Sequence, residues 1–304
     1  IPNKSWPDLI LDCGRRSVPI ARWIRSRSNH TSRWVHLGRP WAPIKWFDLV
    51  VSTPQYRVLQ RPNVMQIALP FHLATAERLA QAGAGWEQRL NELPKPWIAV
   101  LVGGNSTSHV FDERTARLLG ESASAAAIEA GGSLLVTTSP RTTPASASAL
   151  KAALSAPNFF HAWDQGQTEN PYLAFLALAD RIVVTGDSAS MIAEACSTGR
   201  PVSLFELPKR PNILTILLGV TDKLARICGI ERNYRGTLKQ QSWLARTFDR
   251  LVEMGVFMPT RDMAAMHQIL LARGMVERLG ENFASPTTRR QDDYVIVIDR
   301  IRTL

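Results

Sequence analysis

The chain has 304 residues, enough for two α/β domains that each bury a full core. It is 45% hydrophobic and 20% charged with a mean hydropathy near zero, and no apolar run reaches the roughly 18–20 residues that cross a bilayer, which excludes a helical membrane protein. A net charge of +10 marks an anion-facing region or a solvated face; of the possible anionic partners, nucleic acid, without zinc-finger spacing, an aromatic RNA-binding signature or a basic heptad, ranks behind an acidic lipid surface and a phosphorylated small molecule.

The chain opens on Ile1 with no signal-like pattern before its first strand-like run, so further residues are expected upstream. "DLILDCG", "RWVHLG", "DLVVSTP" and "NVMQIALP" are strand-like, and "VPIARWIRSRS" is a helix between the first two. Arg15 and Arg16 follow the first strand and open that helix with Ser17 as its cap. They either face a diphosphate or an anionic acceptor, or form a solvated basic turn. Arg15, Arg16, Arg22, Arg25, Arg27, Arg33 and Arg39 fall in one short stretch beside Trp6, Trp23, Trp34, Trp41 and Trp46. Arg and Trp together suit a membrane face, and partial core burial of the indoles is the competing reading. His72, after "IALPF", is placed at a strand end as a general base or as a structural histidine. The proline-bearing "NELPKP" is read as a hinge, giving an N-terminal domain over 1–93 and a second over 94–304.

From residue 96 the alternation is unbroken: strands "PWIAVLVGG", "SLLVTTS", "NFFHAWD", "RIVVTGD" and "PVSLFEL" are separated by helices over 112–132, 143–155, 170–180 and 189–198. Continuous apolar strands with intervening helices mean a parallel sheet covered on both faces. Beyond "PKRPN" the pattern is helical, through "ILTILLGVTDKLARICGI", "SWLARTFDRLVEMG" and "DMAAMHQILLARGMVERLG". Cys13, Cys196 and Cys228 share no metal-like spacing and leave an odd thiol if two pair, which points to a reducing, cytoplasmic compartment; no metal site is expected.

The chemistry concentrates in "VVTGDSASMIAEACSTGRPV". With Asp187 or Ser188 as N-cap, Asp187, Ser190 and Glu194 fall on one helical stripe while Met191 turns inward. Free N–H groups at that helix start favour a phosphate, and Glu194, further along, suits the hydroxyls of a ribose. Capping and solvation alone would explain these residues, but two more polar strand ends stand in the same domain. These are "VGGNSTSH" with Gly103, Gly104, Asn105 and Ser106, and "TTSPRTTP" with Ser139 and Arg141.

"DSASMIAEACSTGRPV" is similar to the pattern in C-terminal domains of GT-B-fold proteins, including glycosyltransferases and UDP-N-acetylglucosamine 2-epimerases. With "CGRRSVPIARW", "LVGGNS" and "LLVTTSPRTTP" it resembles, over nearly the whole chain, the mitochondrial-fission "elongated mitochondria" family, widespread in bacteria. Two departures stand out. A Gly-rich "DGKAGH"-like segment would precede "PDL", and Pro140 stands where a second Arg is expected. The expectation is therefore two Rossmann-like domains, GT-B-like, with a helical C-terminal region. The second domain would bind a nucleotide-diphosphate sugar through Gly103, Gly104, Asn105, Ser106, Ser139, Arg141, Asp187, Ser188, Ser190, Met191 and Glu194. No cofactor or metal is expected, and glycosyl transfer would act on a cell-envelope or lipid-linked acceptor at the inner face of an anionic membrane. The alternatives are a non-catalytic membrane-surface scaffold and a sugar-nucleotide epimerase, whose N-terminal carboxylates would be Asp12 and Asp48.

Overall fold

The computed structural model describes residues 6–166, 169–210, 230–232, 238–240, 247, 250–251, 261–280 and 293–304. The chain divides into two compact units, residues 1–70 with 212–269 and 291–304, and residues 71–211 with 270–290. Each holds its own parallel sheet, so the two expected Rossmann-like layers are present.

In the first unit β1 (Leu9–Cys13), β2 (Arg33–Leu37), β3 (Leu49–Ser52) and β4 (Val64–Gln66) pair in sequence order, all parallel. β1 lies at the edge and alternates, burying Ile10 and Asp12 while leaving Leu9 and Leu11 exposed. Helix α1 (Val18–Arg27) takes Pro19 in its first turn, where a missing N–H costs nothing. It buries Val18 and Ala21 against Ile10, Trp34, Phe47 and Val50. Ser17 stands at the N-cap position of α1 as expected, but its hydroxyl makes no cap hydrogen bond to the helix and turns back to Asp12 Oδ2 at 3.0 Å and to the carbonyls of Cys13 and Gly14, both at 2.8 Å.

The second unit orders its strands as Glu277–Arg278, β9 (Val202–Phe205), β8 (Arg181–Thr185), β5 (Trp97–Leu101), β6 (Ser133–Thr137), β7 (Asn158–His161), again all parallel. The central β5 and β6 are wholly buried, which is why they read as unbroken apolar runs. Helices α4 (Glu113–Glu129) and α5 (Pro144–Ala152) start on Asp112 and Thr143, whose side chains accept the N–H groups of Thr115 and Ser146. α6 (Tyr172–Leu178) starts after Pro171, and α7 (Ala189–Ser197) after Ser188.

The division of the chain falls at Pro70–Phe71 and not in "NELPKP". Two helices missing from the sequence reading explain the shift. α2 (Ala76–Ala84), capped by Thr75, packs on α6, and α3 (Glu87–Leu90) follows it with Leu90 fully buried. Trp86 stacks edge-on against Phe159 and Phe175 at 5.7 and 5.9 Å, so residues 71–93 build the second core. The C-terminal part also departs from all-helical. The helix expected over 262–280 ends at Ala272, after which Glu277–Arg278 joins β9, and Ile230–Arg232 pairs antiparallel with Leu238–Gln240. A terminal helix, Asp293–Arg302, is held to the first unit by Asp293 Oδ2, which accepts the N–H of Ala68 at 2.9 Å. "ILTILLGV", most of "SWLARTFDRLVEMG" and Cys228 lie outside the described residues.

Candidate functional site

The order of the second sheet defines where a ligand can sit. From β5 the chain moves outward to β6 and β7, then returns to the other side of β5 for β8 and β9. The crossovers therefore diverge between β5 and β8, and the loops leaving their carboxyl ends part to form the crevice of an open α/β sheet. Gly103 and Gly104 follow β5, Ser139 and Arg141 follow β6, and Asp187 and Ser188 follow β8, so all three polar strand ends meet on adjacent strands.

Asp187 binds the three loops together. Its carboxylate has no exposed surface; Oδ1 accepts the Thr185 hydroxyl at 2.6 Å, and Oδ2 accepts the Gly104 N–H at 3.1 Å and Arg141 Nη1 at 2.6 Å. Thr185 Oγ1 in turn accepts the Gly103 N–H at 2.8 Å. The Gly103 carbonyl receives the Thr142 hydroxyl at 2.6 Å and the Ser139 hydroxyl, and Asn105 N donates to the Arg141 carbonyl at 3.0 Å. Both glycines are required by this closeness: a Cβ on Gly103 would overlap the Asp187 carboxylate, and one on Gly104, whose φ is +151°, the Arg141 carbonyl.

This corrects the helical stripe. Ser188 is the N-cap, its hydroxyl accepting Met191 N at 3.5 Å, so Asp187 precedes the helix and turns into the loops. Ser190 is exposed, Met191 is half-buried and not turned fully inward, and Ile192, Ala193, Ala195 and Cys196 form the buried face. Glu194 Oε2 accepts the hydroxyl of Tyr172 on α6, a partner that only tertiary packing supplies, and Oε1 makes no hydrogen bond among the described residues. Burial, reinforced by the charge and hydrogen bond of Glu194, raises the Tyr172 phenol above its ordinary range, so it stays a donor. Ser106 is absorbed locally, accepting His109 N at 3.0 Å, and Asn105 Oδ1 accepts Phe111 N at 3.0 Å.

What remains open is specific. The N–H groups of Ala189 and Ser190 have no acceptor among the described residues, the Arg141 side chain paired with Asp187 is 38% exposed, and Glu194 lies five residues on from Ala189, about 7.5 Å along the helix. That array can take an anion at the helix start and hydroxyl groups at Glu194. Among the described residues no three His, Cys, Asp or Glu side chains gather into a metal site.

The other expected residues lie elsewhere. His72 falls within the second unit, in the turn leading to α2, and not at a strand end of the first. Arg15 and Arg16 are exposed in the first unit, with the Arg15 guanidinium 5.4 Å from the Trp41 ring centroid. Asp12 and Asp48, the carboxylates an epimerase would need, are committed. Asp12 Oδ1 binds His36 Nδ1 at 2.8 Å and Trp34 Nε1 at 3.1 Å, and Asp48 Oδ2 accepts Arg25 Nη1 at 2.8 Å and Trp34 N at 2.7 Å.

A family model described as "Mitochondrial fission ELM1" matches residues 1–249. The chain belongs to this family. A member from Arabidopsis thaliana, "Mitochondrial fission protein ELM1", is 28% identical over 66% of the chain, and the chain spans only about half of that relative, 52% of its length. An uncharacterized protein of Rickettsia prowazekii is 24% identical over 75% of the chain and 73% of its own length. Among solved structures, the UDP-GlcNAc 2-epimerase of Neisseria meningitidis bound to UDP-GlcNAc aligns with a TM-score of 0.42 at 12% identity, covering 97% of this chain and 76% of that one.

Proposed function

We propose that the chain is a GT-B-type protein whose second unit binds a nucleotide-diphosphate sugar, and that it transfers the sugar to a cell-envelope acceptor without a metal or other cofactor. The observation that carries this reading is the open array at the switch point: two helix-start amides with no acceptor among the described residues, the Asp187-paired Arg141, and a carboxylate oxygen further along α7. In the transfer, Arg141 and the amides would offset charge developing on the diphosphate leaving group. Acceptor recognition is assigned to the first unit, with Arg15 and Arg16 as anion contacts, and the protein is placed in the cytoplasm at the inner membrane face. Among the described residues no helix is long and apolar enough to cross a membrane.

One observation favours a second reading, a binding scaffold without catalysis. Asp187 is spent on holding the loops, and Asp12 and Asp48 are tied into the first core, so all three are committed to structural contacts that acid–base work would have to break. Thermal-shift and calorimetric titration with UDP-, GDP-, ADP- and CMP-sugars tests binding. Release of free nucleotide in the presence of membrane extract would support transfer, and tight binding without turnover would favour the scaffold.

A further inference from the structure

We infer that the outward face of α1, together with Trp41 and Trp46, is a docking surface for an anionic phospholipid bilayer. The inference rests on the membrane-face placement above and takes Arg15 from the acceptor contacts, but it does not depend on sugar-nucleotide binding by the second unit, since every residue it uses lies between 6 and 46 in the first. Pro19, Arg22, Trp23 and Ser26 recur at i, i+3, i+4 and i+7, so they form one stripe on α1. With Val18, Trp41, Ala42 and Trp46 they line an open groove of about 480 Å³. Around it the apolar surface is left to solvent: Trp6 is 39% exposed, Ile20 63%, Trp23 49% and Trp41 46%, while Trp34 alone of the local indoles is fully buried. Trp6 packs edge-on against Trp23 at 5.9 Å, which makes the patch contiguous.

The cations are placed on the indoles. Arg22 lies 4.1 Å from the Trp46 ring centroid, Arg15 5.4 Å from that of Trp41 and Arg27 5.9 Å from that of Trp23. None of these three guanidinium groups meets a carboxylate among the described residues, because Asp12 is bound by His36, and Asp48 by Arg25 and Arg33. The surface is therefore cationic and aromatic at once. Guanidinium groups match the phosphate layer of a bilayer, and indoles match the boundary between headgroups and acyl chains. A free nucleotide would need a compact pocket, whereas here the charges run the length of a helix about 15 Å long and the apolar groups extend beyond the groove to Ile20 and Trp6.

The test uses the full chain with vesicles of phosphatidylcholine alone or with about 30% phosphatidylglycerol, sedimented at low and high salt. The anionic vesicles are expected to retain the protein at low salt and the neutral ones to leave it in solution. The pair R22Q/R27Q should weaken retention roughly 25-fold, about 5-fold per arginine, while R22K/R27K restores it and R114Q/R117Q, which removes equal charge from α4, leaves it unchanged. Bromine-labelled lipid should quench tryptophan fluorescence in the parent protein and less in W23F/W41F. Equal retention on both vesicle types, equal loss in the α4 control, or quenching indifferent to Trp23 and Trp41 would overturn the proposal. So would RNA homopolymer or inorganic pyrophosphate binding that depends on Arg22 and Arg27 while vesicles are ignored.

Discussion

Asp187 shows how one buried carboxylate can hold several loops in register. It joins a strand end, a glycine amide and an arginine from three loops, so its loss is a loss of loop geometry. Asp187→Asn should cost about 2 kcal/mol, with the half-exposed Arg141 limiting the penalty, and lower the thermal midpoint by several degrees. A midpoint equal to that of the parent would remove the bracket role. Gly104→Ala acts on the same loops through sterics and a positive φ, and is expected to destabilise by at least as much in urea titration. On the inner side of α7, burial pushes the Cys196 thiol up to about 12, so a disulfide reagent should label exposed Cys13 within minutes and Cys196 only on unfolding, read in a Cys228→Ser background. At this scale the sequence was partly legible. A serine just ahead of an apolar helical run announces a cap, and Ser188 is one. The partners of Asp187 and Glu194 were not legible, because Arg141 lies 46 positions from Asp187 and Tyr172 lies 22 from Glu194, distances that only the packed fold closes.

Among elements, the first sheet sets an instructive register. β1 and β2 align Asp12 opposite His36, on the face that also carries Trp34, and this makes a buried polar cluster of residues 24 apart in sequence. Burial pushes the Asp12 carboxyl up, but the His36 hydrogen bond and charge, with Trp34 and Ser17, outweigh it and hold the group below its ordinary value. A depressed folded value contributes stability that is complete above the unfolded carboxylate pKa, near 3.9, and is lost as pH falls through the lower folded one. Urea midpoints of the parent protein should therefore fall on acidification below about pH 4, and Asp12→Asn should be less stable at neutral pH and lose part of that acid dependence. An unchanged acid slope in the variant would remove Asp12 from the account. The strands and α4 to α7 were legible because apolar runs alternate with capped helical periods. α2 was not, since Gly83 and Gly85 interrupt a run of small and polar residues, and two residues at Glu277–Arg278 are too few to carry any period.

For the whole molecule, the strand–helix alternation from residue 96 foretold the parallel sheet of the second unit, the first unit was legible as a shorter α/β layer, and the order of the second sheet explains why its polar strand ends converge. Domain limits were harder to read. Proline punctuation drew attention to 91–96, while the cores are decided by Trp86 and Leu90 packing into the second unit and by Asp293 anchoring the terminal helix on the first. The nucleotide sugar is proposed to sit at the switch point of the second sheet. The most direct test of that placement is calorimetric titration of the parent and Glu194→Gln proteins with UDP-, GDP-, ADP- and CMP-sugars. The glutamine keeps an acceptor for Tyr172 while removing the charge that would hold ribose hydroxyls. Saturable binding of at least one nucleotide sugar is expected, weakened by about 1–3 kcal/mol in the variant at an unchanged thermal midpoint. No heat with any of the four, or identical affinity in both proteins, would contradict the placement.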